Sequence, residues 1–124
     1  EYYVASIGFN MDGWLAEYIV LNEISLVELP DYLSYTQAAT LACGAVPAWN
    51  AIHQHGTLKA GQTVLVQGAG GVSVFALQLA KLSGARVLAI ASRDDDDKAQ
   101  LLKELGAETV VAYGENPDWD KEIL

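Results

Sequence analysis

The spacing of hydrophobic and polar positions divides the 124-residue chain into three stretches. Residues 1–30 predict strands. Asp12-Gly13 is a strong turn signal, and an aromatic and aliphatic run over 14–21 follows it, with Ala16 and Glu17 as its weak positions. A second short strand over 24–29 is closed by Pro30. Residues 31–61 predict two short helices. Ser34 and Gln37 have the spacing of a capping box ahead of the small residues at 38–42. Gly44 is expected to interrupt that helix. Pro47 suits the first turn of the next one, over 48–55, with Gly56 as its stop and Ala60-Gly61 as the turn beyond.

Residues 62–124 alternate strand and helix. A short apolar strand is predicted over 63–67. A helix over 71–83 carries apolar residues (Val72, Val74, Phe75, Leu77, Leu79, Leu82) around most of its surface and is expected to be well buried. The strand over 87–90 has no polar alternation, as when both faces are covered. A helix over 97–105 ends at Gly106, a third strand covers 109–111, and Asn116-Pro117 introduces a third helix. This β-α-β-α-β order predicts an α/β fold with a parallel, doubly wound sheet.

Composition narrows the class. At 52% apolar and 19% charged residues, with mean hydropathy +0.18, the chain forms a core, which excludes a disordered tail, a collagen or a coiled coil. The apolar runs fall short of the roughly 20 residues of a membrane span. The opening EYYVASIGFN lacks a basic region and an apolar core, so no signal peptide is expected. A single cysteine, Cys43, excludes an internal disulfide framework and fits a reducing, cytoplasmic setting. Net charge is −9, and residues 94–124 carry ten of the 16 acids. Nucleic acid and anionic membranes are therefore not expected partners. The chain begins at Glu1 within what reads as ordered sequence, and is expected to be a piece of something longer.

The chemistry centres on Gly68-Ala69-Gly70-Gly71-Val72-Ser73, at a strand end opening a helix. Gly68 permits a tight turn, Gly70 lets a pyrophosphate approach the backbone, and a third small residue allows close helix–strand packing. Free N–H groups and the positive helix end hold the phosphates. The third position is Ser73 rather than Gly. Other readings are a glycine-rich turn in an ordinary α/β protein, an FAD or other nucleotide site, and an S-adenosylmethionine site. The last predicts an acid at the second strand end, where Ala91 stands. That strand end reads Ala91-Ser92-Arg93, and Ser92 with Arg93 can bond a 2′-phosphate, which favours NADP over NAD. Against this, Asp94 to Asp97 follow at once, and Asp94 could be a displaced ribose ligand. The simpler reading of that run is helix capping and favourable placement on the helix dipole.

These blocks together resemble the medium-chain dehydrogenase/reductase superfamily, in its quinone-oxidoreductase-like and zinc-type alcohol-dehydrogenase-like branch. The resemblance rests on DGWLAEYIV at 12–20, LPDYLSYTQAATLACGAVPAW at 29–49, LKAGQTVLVQGAGGVS at 58–73 and LGAETVVAYGENPDW at 105–119. It implies that 1–30 are the last strands of a GroES-like catalytic domain, 31–61 a helical connecting segment, and 62–124 the first half of a Rossmann-type NAD(P)-binding domain. It implies hydride transfer between a nicotinamide and a carbonyl, alcohol, quinone or conjugated alkene. Cofactor contacts carry over onto Gly70, Gly71 and Val72 for the pyrophosphate, Ser92, Arg93 and Lys98 for the adenosine 2′ side, and Tyr113 near the adenine, with Gly68 of the turn counted among the cofactor-binding residues. A small-molecule substrate and a homodimer of the full-length protein are the implied partners. The family's T-A-W reads Pro47-Ala48-Trp49 here, and Gly114 replaces an often basic residue.

In zinc-bearing relatives a cysteine near Cys43 is a zinc ligand, but zinc needs three protein ligands, and Cys43 is read as a buried small apolar residue near the active site rather than as a metal ligand. No catalytic residue is assigned. His53 and His55, two apart, cannot share a helix face, so one partly buried and one exposed histidine is expected. Trp14, Trp49 and Trp119 are read as core and interface anchors, and Lys59 and Arg86 as surface charges. A non-catalytic nucleotide-binding or structural fragment is the alternative function.

Overall fold

The computed structural model describes residues 7–91, 96–112, 114 and 118–123. The chain divides into two compact units, Glu1–Tyr32 and Leu33–Leu124.

In the first unit no β-ladder forms over 14–21 or 24–29 among the described residues. Regular backbone is confined to a 3₁₀ turn, Glu23–Ser25, and an isolated bridge between Ile7 and Met11. The chain turns at 8–10 rather than at Asp12-Gly13. Gly8 adopts φ +77°, and its N–H donates to the Met11 carbonyl at 3.0 Å. The expected strands fail for a physical reason. High β-propensity is a fit to a pleated, half-buried surface, which a neighbouring strand must supply. No described strand does so here, and Tyr18 is 92% exposed and Val20 fully exposed.

The second unit holds a parallel three-stranded sheet in the order β1 (Thr63–Gln67), β2 (Arg86–Ala91), β3 (Thr109–Ala112). α3 (Gly71–Leu82) and α4 (Asp96–Glu104) link the strands, and α5 (Trp119–Ile123) follows β3. The segment before β1 holds α1 (Tyr35–Ala39) and α2 (Val46–Trp49). β1 has the predicted bounds, and the other elements agree to within a residue or two. β2 is central, and five of its six residues are buried, as its unbroken apolar run predicts. Val87, Ala89 and Ala91 share one face and join Val66, Leu77, Ala80 and Leu102 in the core. Leu88 and Ile90 are buried on the opposite face. α3 is less enclosed than expected: Leu77 and Ala80 are fully buried, whereas Leu82 is 85% exposed.

Residues 35–55 run helically almost without a break. The capping box forms as its spacing predicts. Gln37 N–H donates to Ser34 Oγ at 3.2 Å, and Ser34 N–H donates to Gln37 Oε1 at 3.0 Å. Between and beyond α1 and α2 lie two wide, π-type turns, Leu41–Ala45 and Asn50–His55. Gly44 does not interrupt the helix. A Cβ there would lie 2.9 Å from a ring carbon of Phe75, so glycine is required by the close approach of α3. Pro47, lacking an N–H, sits at the start of α2, directly after the first wide turn.

Candidate cofactor site

The site forms where β1 ends and α3 begins. Gly68 closes the strand at φ +82°, in the left-handed region, and its N–H donates to the Ile90 carbonyl at 2.7 Å. Gly70 is the N-cap of α3, with φ −77° and ψ 173°, and no side chain caps the helix. A Cβ built on Gly70 or Gly71 would meet nothing within 4 Å. Packing within the chain therefore demands neither glycine, and the space in front of both is open.

The first N–H groups of an α-helix have no intrahelical acceptor. Those of Gly71, Val72 and Ser73 occupy that position, at the positive end of a 12-residue helix. Uncapped amides beside two side-chain-free positions are the features from which helix starts build anion sites. Ser73, the departure from the glycine pattern, donates its Oγ–H to the Gln67 carbonyl at 2.8 Å.

A cavity of about 390 Å³ adjoins this loop, lined by Gln67, Gly68, Ile90 and Trp119. Gln67 and Ile90 are register partners, so they share a sheet face at the carboxyl ends of β1 and β2. Ligands of open α/β sheets bind at those ends. A second cavity, about 470 Å³ and lined by Ile52, Leu58 and Val64 among others, opens beside the other end of β1.

The structure thus brings Gly68, Gly70, Gly71 and Val72 together at one strand end. Lys98 lies exposed in α4, the helix after β2. Ser92, Arg93, Asp94 and Tyr113 lie outside the described residues. Sequence reasoning missed Trp119 as a wall of the cleft. Its position just after β3, at the carboxyl side of the sheet, was the signal that could have found it.

Cys43, expected to be buried, is instead exposed on the first wide turn. His53 is half-buried and its ring lies 4.2 Å from that of Trp49, at 49°, while His55 is exposed, as the spacing predicts. Among the described residues no three His, Cys, Asp or Glu side chains converge. Arg86 pairs with Glu108 at 2.9 Å, with both side chains more than half exposed, and the pair adds little stability.

A parallel β-α-β unit with a glycine turn, an uncapped helix start and a cleft at the strand ends is the arrangement of a Rossmann-type domain. The family model for zinc-binding dehydrogenases matches residues 71–124. A zinc-type alcohol dehydrogenase-like protein of Schizosaccharomyces pombe is 41% identical over 125 residues, covering 97% of this chain and 35% of that protein. A solved NAD-dependent alcohol dehydrogenase superposes with TM-score 0.85 at 42% identity, over 94% of this chain and 34% of its own. The quinone oxidoreductase of Thermus thermophilus, solved also in complex with NADPH, gives TM-score 0.77 at 36% identity, over 92% and 38%. The chain belongs to the medium-chain dehydrogenase/reductase superfamily. It spans about a third of the length of these relatives.

Proposed function

We propose that this chain supplies the cofactor diphosphate site of an NADP(H)-linked oxidoreductase. The observation that carries the reading is the open cradle at Gly70 and Gly71, set on an uncapped helix start beside the strand-end cleft. In this reading Gly68 turns the chain, Gly70 and Gly71 admit the diphosphate, and the N–H groups of Gly71, Val72 and Ser73 donate to it. Ser92 and Arg93 bind the 2′-phosphate, Lys98 adds positive charge on that side, and Tyr113 lies near the adenine. Trp119 and Ile90 shield the cleft from water. The bound nicotinamide supplies hydride chemistry toward a carbonyl, alcohol, quinone or conjugated alkene. The whole protein takes a small-molecule substrate and works as a homodimer. Among the described residues no helix is long and apolar enough to cross a membrane.

The preference for NADP rests on Ser92 and Arg93, because one solved relative is NAD-dependent and another was solved with NADPH. Fluorescence titration with NADPH and NADH tests it. Arg93→Ala is expected to weaken NADPH by tenfold or more and leave NADH unchanged. An unchanged preference overturns the 2′-phosphate assignment.

A dinucleotide crevice is built from two mononucleotide halves, and the described sheet has the three strands of one. That observation favours a second reading for the chain by itself: nucleotide binding without turnover. Oxidation of NADPH with quinones or aldehydes by the purified chain would contradict it.

A further inference from the structure

We infer that Ser73 is a positioning residue, a latch that fixes the first turn of α3 on the end of β1 and so aims the amides of the diphosphate cradle. The inference rests on the cofactor reading above. A serine hydroxyl has one proton to donate. Here it is committed to the Gln67 carbonyl, at 2.8 Å. Ser73 therefore offers no side-chain donor to a phosphate, and its influence passes through the backbone N–H groups of Gly71, Val72 and Ser73 itself.

The loop is held at two points. Gly68 N–H to the Ile90 carbonyl, at 2.7 Å, ties it to β2. Ser73 Oγ–H to the Gln67 carbonyl ties the helix to β1. Between them lies Gly70, whose missing side chain leaves open space. The glycine common at position 73 in this motif works by close packing. In this chain the hydroxyl sits 4.0 Å from where a Cβ of Gly68 would stand, so it occupies the room a glycine would leave empty and replaces packing with a hydrogen bond.

The latch therefore predicts that restoring the motif's glycine weakens the site. The test compares Ser73→Ala, Ser73→Gly and Ser73→Thr with the parent chain. Affinities are measured for ADP and NADPH, which carry a diphosphate, and for 2′-AMP, which does not. Amide hydrogen exchange is measured on the unliganded proteins. The alanine and glycine variants are expected to lose about fivefold in affinity for ADP and NADPH and less than about twofold for 2′-AMP. Their amides at 71–73 exchange faster while those of β2 do not change. Threonine keeps the hydroxyl and stays within about twofold of the parent.

A glycine variant that binds ADP as tightly as the parent overturns the latch, as do equal losses for ADP and 2′-AMP. Loss of protection across β2 in the alanine variant also overturns it, since the hydrogen bond would then support the fold at large. A parent chain that binds neither ADP nor NADPH overturns the cofactor reading and this inference with it.

Discussion

Gly68 and Gly71 stand three residues apart and are glycine for opposite reasons. Gly68 needs its φ of +82°, which costs an L-residue about 1–2 kcal/mol. Gly71 has helical backbone and open space where a side chain would be, so the chain's own fold does not require it. Gly68→Ala is expected to lower stability by about 1–2 kcal/mol. Gly71→Ala is expected to leave stability unchanged or raise it by up to about 1 kcal/mol, through better helix propensity, while weakening NADPH about tenfold. Thermal melts paired with NADPH titration read both effects. Thr57 is a further special position, a β-branched residue at φ +46°. Thr57→Asn is expected to stabilise by about 0.5–1 kcal/mol in urea unfolding, since Asn tolerates that region better.

At the scale of elements, the parallel β-α-β core was legible because its signals are local. Apolar strands bounded by glycine turns, a cradle at a strand end and a capping box at Ser34 can each be read from a few neighbouring residues. What escaped was long-range. The run at 14–21 has strand chemistry, yet a strand exists only where a second one pairs with it. From its neighbours alone Gly44 reads as a helix breaker, whereas its cause is a phenylalanine 31 positions away in sequence, in α3. Gly44→Ala is accordingly expected to cost about 1–3 kcal/mol through overpacking against the Phe75 ring. Phe75→Leu in the same background is expected to recover part of that loss, and a double-mutant cycle by urea unfolding measures the coupling. Trp119 stands seven residues beyond β3 in sequence, yet it lines a cleft with Gln67, Gly68 and Ile90 from the other two strand ends.

For the whole molecule, the buried β2 is the structural centre of the second unit, with α3 and α4 packed on one face of the sheet. β1 alternates exposed and covered positions, and among the described strands it pairs only with β2. Native-state hydrogen exchange is expected to find its slowest amides in β2, with those over 14–21 exchanging fastest. The charge asymmetry, ten acids after residue 93, puts the acidic surface on the side of the chain that follows β2 in sequence. In sequence, Arg93 and Lys98 are the two bases that flank its first acidic run. The placement of a dinucleotide diphosphate on the start of α3 is tested most directly by an amide NMR titration of the chain with NADP⁺. The largest shifts are expected at Gly70, Gly71, Val72 and Ser73; shifts confined to residues 46–58, or none at saturating cofactor, would contradict it.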